Sequence, residues 1–253
     1  MSFIDFWTNK NNPALPKAEY LYNFRHICVL IITVVLCVLL TLIFYKKSQK
    51  TKQKLFYVFG WIFLTLEVLS RIVNLLTEEN FTFLKVLEIL LPMHICSVMV
   101  WVFIIAIFSK NKTLINFSVI GGIIATIAFL LYPAVGLNRK FMSFTCLYST
   151  ISHMLGFVCC ILLMTLRFSK FKIKEIYKIF ICFAVMFLWG AILNNLIFPG
   201  ADYMYLRNDP LELNLPFPYQ WLYLIILVFY ILIFYLVPLI INAIKRKNKE
   251  KEK

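Results

Sequence analysis

The sequence predicts an all-α polytopic membrane protein, a bundle of seven transmembrane helices with the N-terminus outside and the C-terminus in the cytoplasm. Hydrophobic residues make up 62% of the 253 residues and charged residues only 15%, against roughly 25% charged residues in a soluble domain. A water-soluble fold needs more polar surface than this composition supplies. A cytosolic enzyme, a nucleic-acid-binding domain and a disordered chain are therefore excluded, and we expect a multi-pass protein of the cell membrane.

Long windows without charged residues give the positions of the helices, because a helix needs about 20 apolar residues to cross a bilayer. One further apolar window contains two charges, Glu67 and Arg71. The last helix is expected to begin near Trp221, since Pro216 and Pro218 disfavour helix in the residues before them. We interpret residues 1–253 as a single transmembrane domain. Its predicted spans cover about 26–45, 55–77, 90–108, 113–133, 144–166, 179–199 and 221–244.

Basic residues are unevenly distributed between the two sides of the predicted bundle. The loops after the first, third and fifth spans and the C-terminal tail contain 18 of the 26 lysines and arginines. Because cytoplasmic loops are enriched in these residues, the N-terminus is predicted to lie outside. We expect the cytoplasmic basic loops to bind anionic lipid headgroups, with membrane lipids and no nucleic acid as partners. The opposite side has seven basic residues: Lys10, Lys17, Arg25, Lys85, Arg139, Lys140 and Arg207.

Polar side chains of several predicted helices share one depth in the outer half of the membrane. Counted from the cytoplasmic helix ends at 1.5 Å per residue, they lie about 18 to 28 Å above the inner face. Glu67 and Arg71 are one turn apart and can pair, and buried charges normally face the bundle interior or a wet cavity. We therefore predict one outward-facing site. Its candidate catalytic residues are His94, His153, Arg71, Glu67 and Ser152, and its candidate ligand-binding residues are His26, Asn74, Cys96, Ser97, Ser149, Asn194, Asn195, Asp202 and Tyr203.

Two structural interpretations of the same residues stay open. The ion pair can serve only to hold the second helix against its neighbours, and each histidine can satisfy a local backbone carbonyl.

In a continuous third helix, Cys96 points about 200° away from His94 and lies off the stripe that His94 shares with Ser97. Ser149, Ser152 and His153 share a stripe on the fifth helix, which favours an enzyme.

Four strings of the chain carry a family resemblance: His26 at the start of the first span, Leu91-Pro92-Met93-His94-Ile95-Cys96, Gly200-Ala201-Asp202-Tyr203-Met204-Tyr205-Leu206, and Pro216-Phe217-Pro218-Tyr219. With these strings the chain resembles the YwaF-like family of uncharacterised bacterial integral membrane proteins. It departs from that family at Asp202, where asparagine is usual, and at Phe217 and Tyr219, where tryptophan is usual. The family is distantly similar to eukaryotic membrane phospholipid acyltransferases, which implies a cysteine nucleophile beside the histidine of the third span. Aligned on His94, that cysteine falls on Met93.

Three functions are compatible with the pattern. A lipid-acting acyl hydrolase or acyltransferase would use His153 or His94 as a general base and Arg71 as an electrostatic partner. Its nucleophile would be Ser97, Ser149, Ser152 or Cys96, or a water on a zinc ion held by His26, His94 and His153. The alternatives are a small-solute transporter with Glu67 and a histidine as proton relay, and a non-catalytic membrane scaffold. No cofactor is expected, since no Gly-rich phosphate loop is present.

Overall fold

The computed structural model describes residues 3–8, 12–133, 136–208, 216 and 218–251. Lys10 and Phe217, and the side chains of the basic C-terminal tail, lie outside that description. In the part of the chain that the structure describes, the fold is all-helical. Within the described ranges there is no strand, and Ala14 and Arg139 form an isolated antiparallel bridge.

The chain divides into two compact units, residues 1–169 and 170–253. The helices of the first unit are α1 (Phe3–Thr8), α2 (Lys17–Tyr20), α3 (Phe24–Tyr45), α4 (Gln49–Thr77), α5 (Phe83–Leu90), α6 (Ile95–Ser109), α7 (Lys112–Leu131) and α8 (Phe144–Thr165). The second unit contains α9 (Ile176–Ile192), which continues into a single π-helical turn (Leu193–Ile197), and α10 (Tyr219–Lys251). Short 3₁₀ turns cover Ile173–Glu175 and Tyr203–Tyr205.

Six helices in the described part of the chain are long and apolar enough to cross a membrane, or seven if α5 and α6 together form one span. The axes of α5 and α6 differ by 56°. The expectation of one continuous third helix over 90–108 is therefore wrong: α5 ends at Leu90, and α6 begins only at Ile95. Pro92 explains the break, because its ring disfavours helix at Leu91, which is extended (φ −85°, ψ 148°).

Helix α7 is the core of the first unit and packs against α6 and α8. Gly122 allows this close approach, since small residues let membrane helices pack backbone to backbone. A Cβ atom at Gly122 would lie 2.5 Å from the Phe103 ring and 2.7 Å from Sγ of Cys160. Helices α3 and α4 pack on α8, and α4 also packs on α6. The second and third spans and α8 are thereby brought side by side.

Candidate functional site at the break in the third span

Glu67 and Arg71 form the ion pair that their spacing on α4 predicts. The Glu67 side chain is completely buried, and the Arg71 side chain is 17% exposed. Nε of Arg71 donates to Oε1 of Glu67 at 3.0 Å, and Nη2 donates to the same oxygen. The prediction that these charges face the protein interior is confirmed, because a carboxylate without protein contacts would not be fully covered.

Arg71 also reaches the break in the third span. Its Nη1 donates to the main-chain oxygen of Ile89 and, at 3.3 Å, to that of Leu91. The last carbonyl groups of a helix have no intrahelical donors, so the end of α5 needs partners of this kind. The guanidinium supplies them and thereby stabilises the broken form of the span.

Tyr148 on α8 completes the network, and the sequence analysis missed it. Its hydroxyl donates to Oε2 of Glu67, so both carboxylate oxygens have a donor. Tyr148 directly precedes Ser149, within the predicted polar layer. The comparison of polar groups by depth left out tyrosine hydroxyls. It would have identified Tyr148 if they had been included. One connected network therefore joins α4, the α5–α6 break and α8.

His94 lies in this break, as the residue that precedes α6. Its backbone is extended (φ −108°, ψ 159°), its side chain makes no capping hydrogen bond to the helix, and it is exposed. Side chains of Asn23, Ser48, Asn111 and Ser143 cap α3, α4, α7 and α8, so the start of α6 differs from them. Its first-turn amides lack both intrahelical acceptors and a side-chain cap from His94.

Cys96 and Ser97 are the second and third residues of α6, and both are half-buried. Sγ of Cys96 donates to the main-chain oxygen of Ala125 on α7 at 3.4 Å. The angle of about 200° that separated Cys96 from His94 assumed a continuous helix, and it does not apply because His94 precedes α6. Met93, at the position of the implied cysteine, is only 5% exposed.

His153 on α8 is held in one orientation. Its ring stacks on Phe129 with 4.1 Å between the ring centroids, and Nδ1 is 2.6 Å from the main-chain oxygen of Ser149. A carbonyl oxygen only accepts, so in the neutral ring Nδ1 carries the hydrogen and Nε2 is the basic nitrogen. The adjacent Ser152 hydroxyl is buried and has no hydrogen-bond partner. No histidine nitrogen therefore activates Ser152 in this arrangement.

His26 is completely buried, and both of its ring nitrogens bond to backbone groups. Nδ1 accepts from the Tyr22 amide at 2.9 Å, and Nε2 donates to the main-chain oxygen of Leu130 at 2.7 Å. These contacts support a structural role at the ends of α3 and α7 and leave no ring nitrogen for a zinc ion. Among the residues that the structure describes, no group of three or more His, Cys, Asp or Glu side chains could hold a metal.

The predicted site residues of the second unit come together around the π-helical turn. Asn194 and Tyr203 form two reciprocal hydrogen bonds. Nδ2 of Asn194 donates to the main-chain oxygen of Tyr203 at 3.0 Å, and the Tyr203 amide donates to Oδ1 of Asn194 at 2.8 Å. Arg207 donates to the Asn194 main-chain oxygen at 2.8 Å and to Oδ1 of Asn195 at 2.7 Å. The loop after α9 is therefore folded back onto the end of its own helix.

Asp202 fixes the far end of this loop. Its carboxylate accepts from the amides of Arg207 at 2.8 Å and Asn208 at 2.9 Å, and from the Asn208 side chain at 3.0 Å. Partial burial acts to raise the pKa of Asp202, but these hydrogen bonds together lower the pKa below its ordinary value. The aspartate at this position serves as an acceptor for successive backbone amides.

The structure thus gathers the candidate residues into separate groups. Glu67, Arg71 and the break that contains His94 form one group, and His153 and Ser149 form another on α8. Asn74 is half-buried on α4, where its main-chain oxygen accepts from the Thr77 hydroxyl at 3.5 Å. The convergence of His94, His153, Arg71 and Asn194 on a single outward-facing cavity stays a prediction.

Comparison with known proteins gives one match. No curated protein and no solved structure matches the chain. The model of the TMEM164 family matches residues 21–238, a range that includes the ion pair, the broken span, all three histidines and the loop after α9. The match gives no support to the YwaF-like assignment. On this evidence the chain is a multi-pass membrane protein that belongs to the TMEM164 family.

Proposed function

We propose that the protein is a lipid-acting acyl enzyme, an acyltransferase or hydrolase of membrane-lipid esters, with its site at the break in the third span. The observation that carries the proposal is the position of His94. It is exposed in the non-helical segment between α5 and α6, directly before α6 and two residues before Cys96, whose side chain is half-buried. Irregular backbone within a membrane span is tolerated where it is buried in protein or lines a cavity.

The chemistry assigns one role to each group at the break. The Cys96 thiol leaves the main-chain oxygen of Ala125, to which it donates in this structure, and His94 takes its proton. The sulfur then attacks the carbonyl carbon of a lipid ester. First-turn amides of α6 stabilise the resulting oxyanion. The C–O bond then breaks, His94 returns the proton to the departing lysolipid oxygen, and a thioester remains on Cys96. A lipid hydroxyl or a water molecule attacks the thioester and releases the thiol.

Arg71 and Glu67 act as positioning residues in this proposal. Three nitrogens of the Arg71 guanidinium are already bonded to Glu67 and to main-chain oxygens of the break. Its charge is paired with the Glu67 carboxylate, so it has little left for an oxyanion. Its contribution is to keep α5 and α6 apart, and with them the segment that presents His94.

Ser152 and His153 form the second candidate pair. The Nε2 atom of His153 is the basic nitrogen, and the Ser152 hydroxyl has no partner. A change of the His153 rotamer would be needed to bring the two groups into contact. The pair comes second to His94 and Cys96 because Ser152 is buried, whereas His94 is exposed at the break.

A matched set of variants tests the enzyme in nanodiscs that contain a phospholipid with a fluorescent acyl chain. We expect Cys96→Ala and His94→Gln to abolish acyl release or transfer. Cys182→Ala, at a half-buried cysteine of the second unit, should keep wild-type activity. A hydroxylamine-sensitive acyl label on wild-type protein, absent from Cys96→Ala, supports the thioester. Full activity of Cys96→Ala together with loss in Ser152→Ala would move the reaction to the second pair, and no acyl chemistry in wild type would overturn the proposal.

A solute transporter is the second candidate, because the third span is discontinuous. Broken helices near the membrane centre are typical of transporter binding sites. The completely buried and paired Glu67 argues against a proton relay there, since such a relay has to gain and lose its proton. Proton-coupled solute uptake into proteoliposomes that is lost in Glu67→Gln would favour this candidate.

The proposed orientation has the N-terminus outside, the C-terminus in the cytoplasm and the site near the outer side of the cell membrane. The uneven distribution of basic residues supports it. Anionic lipids then contact the cytoplasmic loops. In a cysteine-free background, a membrane-impermeant thiol reagent should label Asn208→Cys in intact cells and leave Lys47→Cys unlabelled. The reverse pattern would overturn the orientation.

A further inference from the structure

The segment before α3 is joined to the loop between α7 and α8 by backbone hydrogen bonds and by the side chain of Asn12. The Leu15 amide donates to the main-chain oxygen of Asn138 at 2.7 Å. Asn12 and Phe141 pair reciprocally: Nδ2 of Asn12 donates to the Phe141 oxygen at 2.9 Å, and the Phe141 amide donates to Oδ1 at 2.8 Å. These bonds fix the backbone that carries the cationic side chains of Arg139 and Lys140.

Three cations meet at this junction, and we call Arg25, Arg139 and Lys140 the basic corner. Nη1 of Arg25 donates to the main-chain oxygen of Lys140 at 3.0 Å and to that of Arg139 at 3.4 Å. Nη1 of Arg139 donates to the main-chain oxygen of Asn12 at 3.0 Å. The Lys140 ammonium lies 5.7 Å from the centroid of the Phe141 ring. Nearby, the ammonium of Lys17 lies 4.8 Å from the centroid of the Tyr132 ring.

The positive charge of the basic corner is not neutralised by acidic partners. Within the described residues, Arg25, Arg139 and Lys140 bond to main-chain oxygens and an aromatic ring, and none of them pairs with a carboxylate. Arg25 is the second residue of α3, where the helix dipole adds further positive potential. Each guanidinium has five N–H groups, so most of its donors remain for an anion.

Exposed aromatic side chains near the basic corner favour a position at the level of lipid headgroups. Tyr22 before α3, Phe24 at its start and Tyr132 after α7 are 57%, 81% and 44% exposed respectively. Such residues are enriched where a membrane protein meets the membrane–water interface. Directly below them on α3, Ile27 and Ile31 are exposed and form an apolar surface suited to acyl chains.

We propose that the basic corner binds the phosphodiester of an anionic phospholipid, whose acyl chains lie along the exposed apolar surface of α3. Arg25 and Arg139 hold the phosphate oxygens, and Lys140 adds a mobile positive charge. The site is separate from the break in the third span and does not depend on the proposed acyl chemistry. The proposal gives a role to Arg25, Arg139 and Lys140, three of the seven basic residues on their predicted side.

Lipid retention measures this binding directly. The full-length protein is purified in mixed micelles of phosphatidylglycerol and phosphatidylcholine, and the lipids that stay bound are counted by native mass spectrometry. We expect wild type to retain one phosphatidylglycerol preferentially. Lys140→Gln and Arg25→Gln should each weaken that retention by about fivefold, the effect of one basic residue near an anionic surface. Arg25→Lys, which keeps the charge, should retain more lipid than Arg25→Gln.

Three results separate the alternatives. Lys46→Gln combined with Lys47→Gln removes two charges at the opposite end of α3 and should leave retention at the wild-type level; an equal loss there would overturn the assignment to the basic corner. Displacement of the lipid by millimolar inorganic phosphate would show a free-phosphate site instead. If Arg25→Gln fails to fold, Lys140→Gln decides alone, because the Lys140 side chain braces no backbone group, and unchanged retention in that variant would overturn the proposal.

Discussion

The guanidinium of Arg71 donates a hydrogen bond to the main-chain oxygen of Leu91, so a side chain of one span closes a gap in the backbone of the next. The same guanidinium is paired with the buried Glu67 carboxylate. A single arginine therefore compensates both a buried charge and an interrupted helix. The stability of the site and its geometry depend on the same few bonds. Substitutions of Arg71, Glu67 and Tyr148 measure what each bond contributes.

Replacing Arg71 with methionine should destabilise the first unit by about 3–5 kcal/mol, because Glu67 would be left buried without a counter-charge. The measurement is equilibrium unfolding by SDS in mixed micelles. The double variant Arg71→Met, Glu67→Gln should recover much of the loss, since it removes the unpaired charge. Equal unfolding of Arg71→Met and wild type would show that water reaches the pair.

Tyr148→Phe should cost about 1.5–3 kcal/mol, the usual range for a hydrogen bond to a charged group. Tyr45→Phe is the matched control, because the Tyr45 hydroxyl accepts from the exposed Arg167 at 3.3 Å. It should change the free energy of unfolding little. Similar losses in both variants would mean that the Tyr148–Glu67 bond adds nothing specific.

His26→Ala and His94→Ala should have opposite effects. His26→Ala leaves the Leu130 oxygen and the Tyr22 amide without their partner and should lower stability by about 1–3 kcal/mol per group, with unchanged activity per folded molecule. His94→Ala should keep the stability and lose the activity. Thermal unfolding and activity normalised to folded protein check both variants. A stable but inactive His26→Ala protein would contradict the structural role of His26.

Gly122→Ala should destabilise the packing of α6, α7 and α8 by about 1–3 kcal/mol, since its Cβ would overlap the Phe103 ring and the Cys160 sulfur. Gly121→Ala is the neighbouring control. Its Cβ would meet Sδ of Met99 at 2.9 Å, and a flexible methionine side chain can move aside. The difference in unfolding free energy between the two variants is the quantity to measure. A larger effect at Gly121 would contradict the packing described.

The loop after α9 should open at low pH. The folded-state pKa of Asp202 lies below its unfolded value of about 3.9, so the carboxylate contributes stability above about pH 4. That contribution is lost as the pH falls further, through the folded pKa. Hydrogen-exchange protection of the Arg207 and Asn208 amides should follow this loss. Asp202→Asn should show weaker protection at neutral pH and no such decline, whereas the same decline in both proteins would assign it to another group.

Local features of this fold could be predicted from the sequence. The Glu67–Arg71 pair follows from spacing alone, because one helical turn fixes the distance between the two side chains. The break at 91–94 was not predicted as a bend, although Pro92 was visible, because charge-free windows measure length and hydropathy only. The broken form also depends on Arg71, which comes from a different helix.

The features that could not be predicted from the sequence depend on bonds that local patterns do not show. His26 is structural because its Nε2 meets the Leu130 oxygen, 104 residues away, and no local pattern shows this contact. The reciprocal pair of Asn194 and Tyr203 depends on the π-helical turn, which sequence spacing does not reveal. The common depth of these side chains stays a prediction, and depth could not have given their partners.

The unequal covering of the helices has a consequence for biogenesis. Only 11% of the most apolar stretch of α3 is covered by protein, against 67% for α7, which also buries Asn116 and Ser118. We expect a newly made α3 to enter the lipid alone. Helix α7 would expose Asn116 to lipid if it did the same, so we expect it to enter the membrane together with α6 and α8.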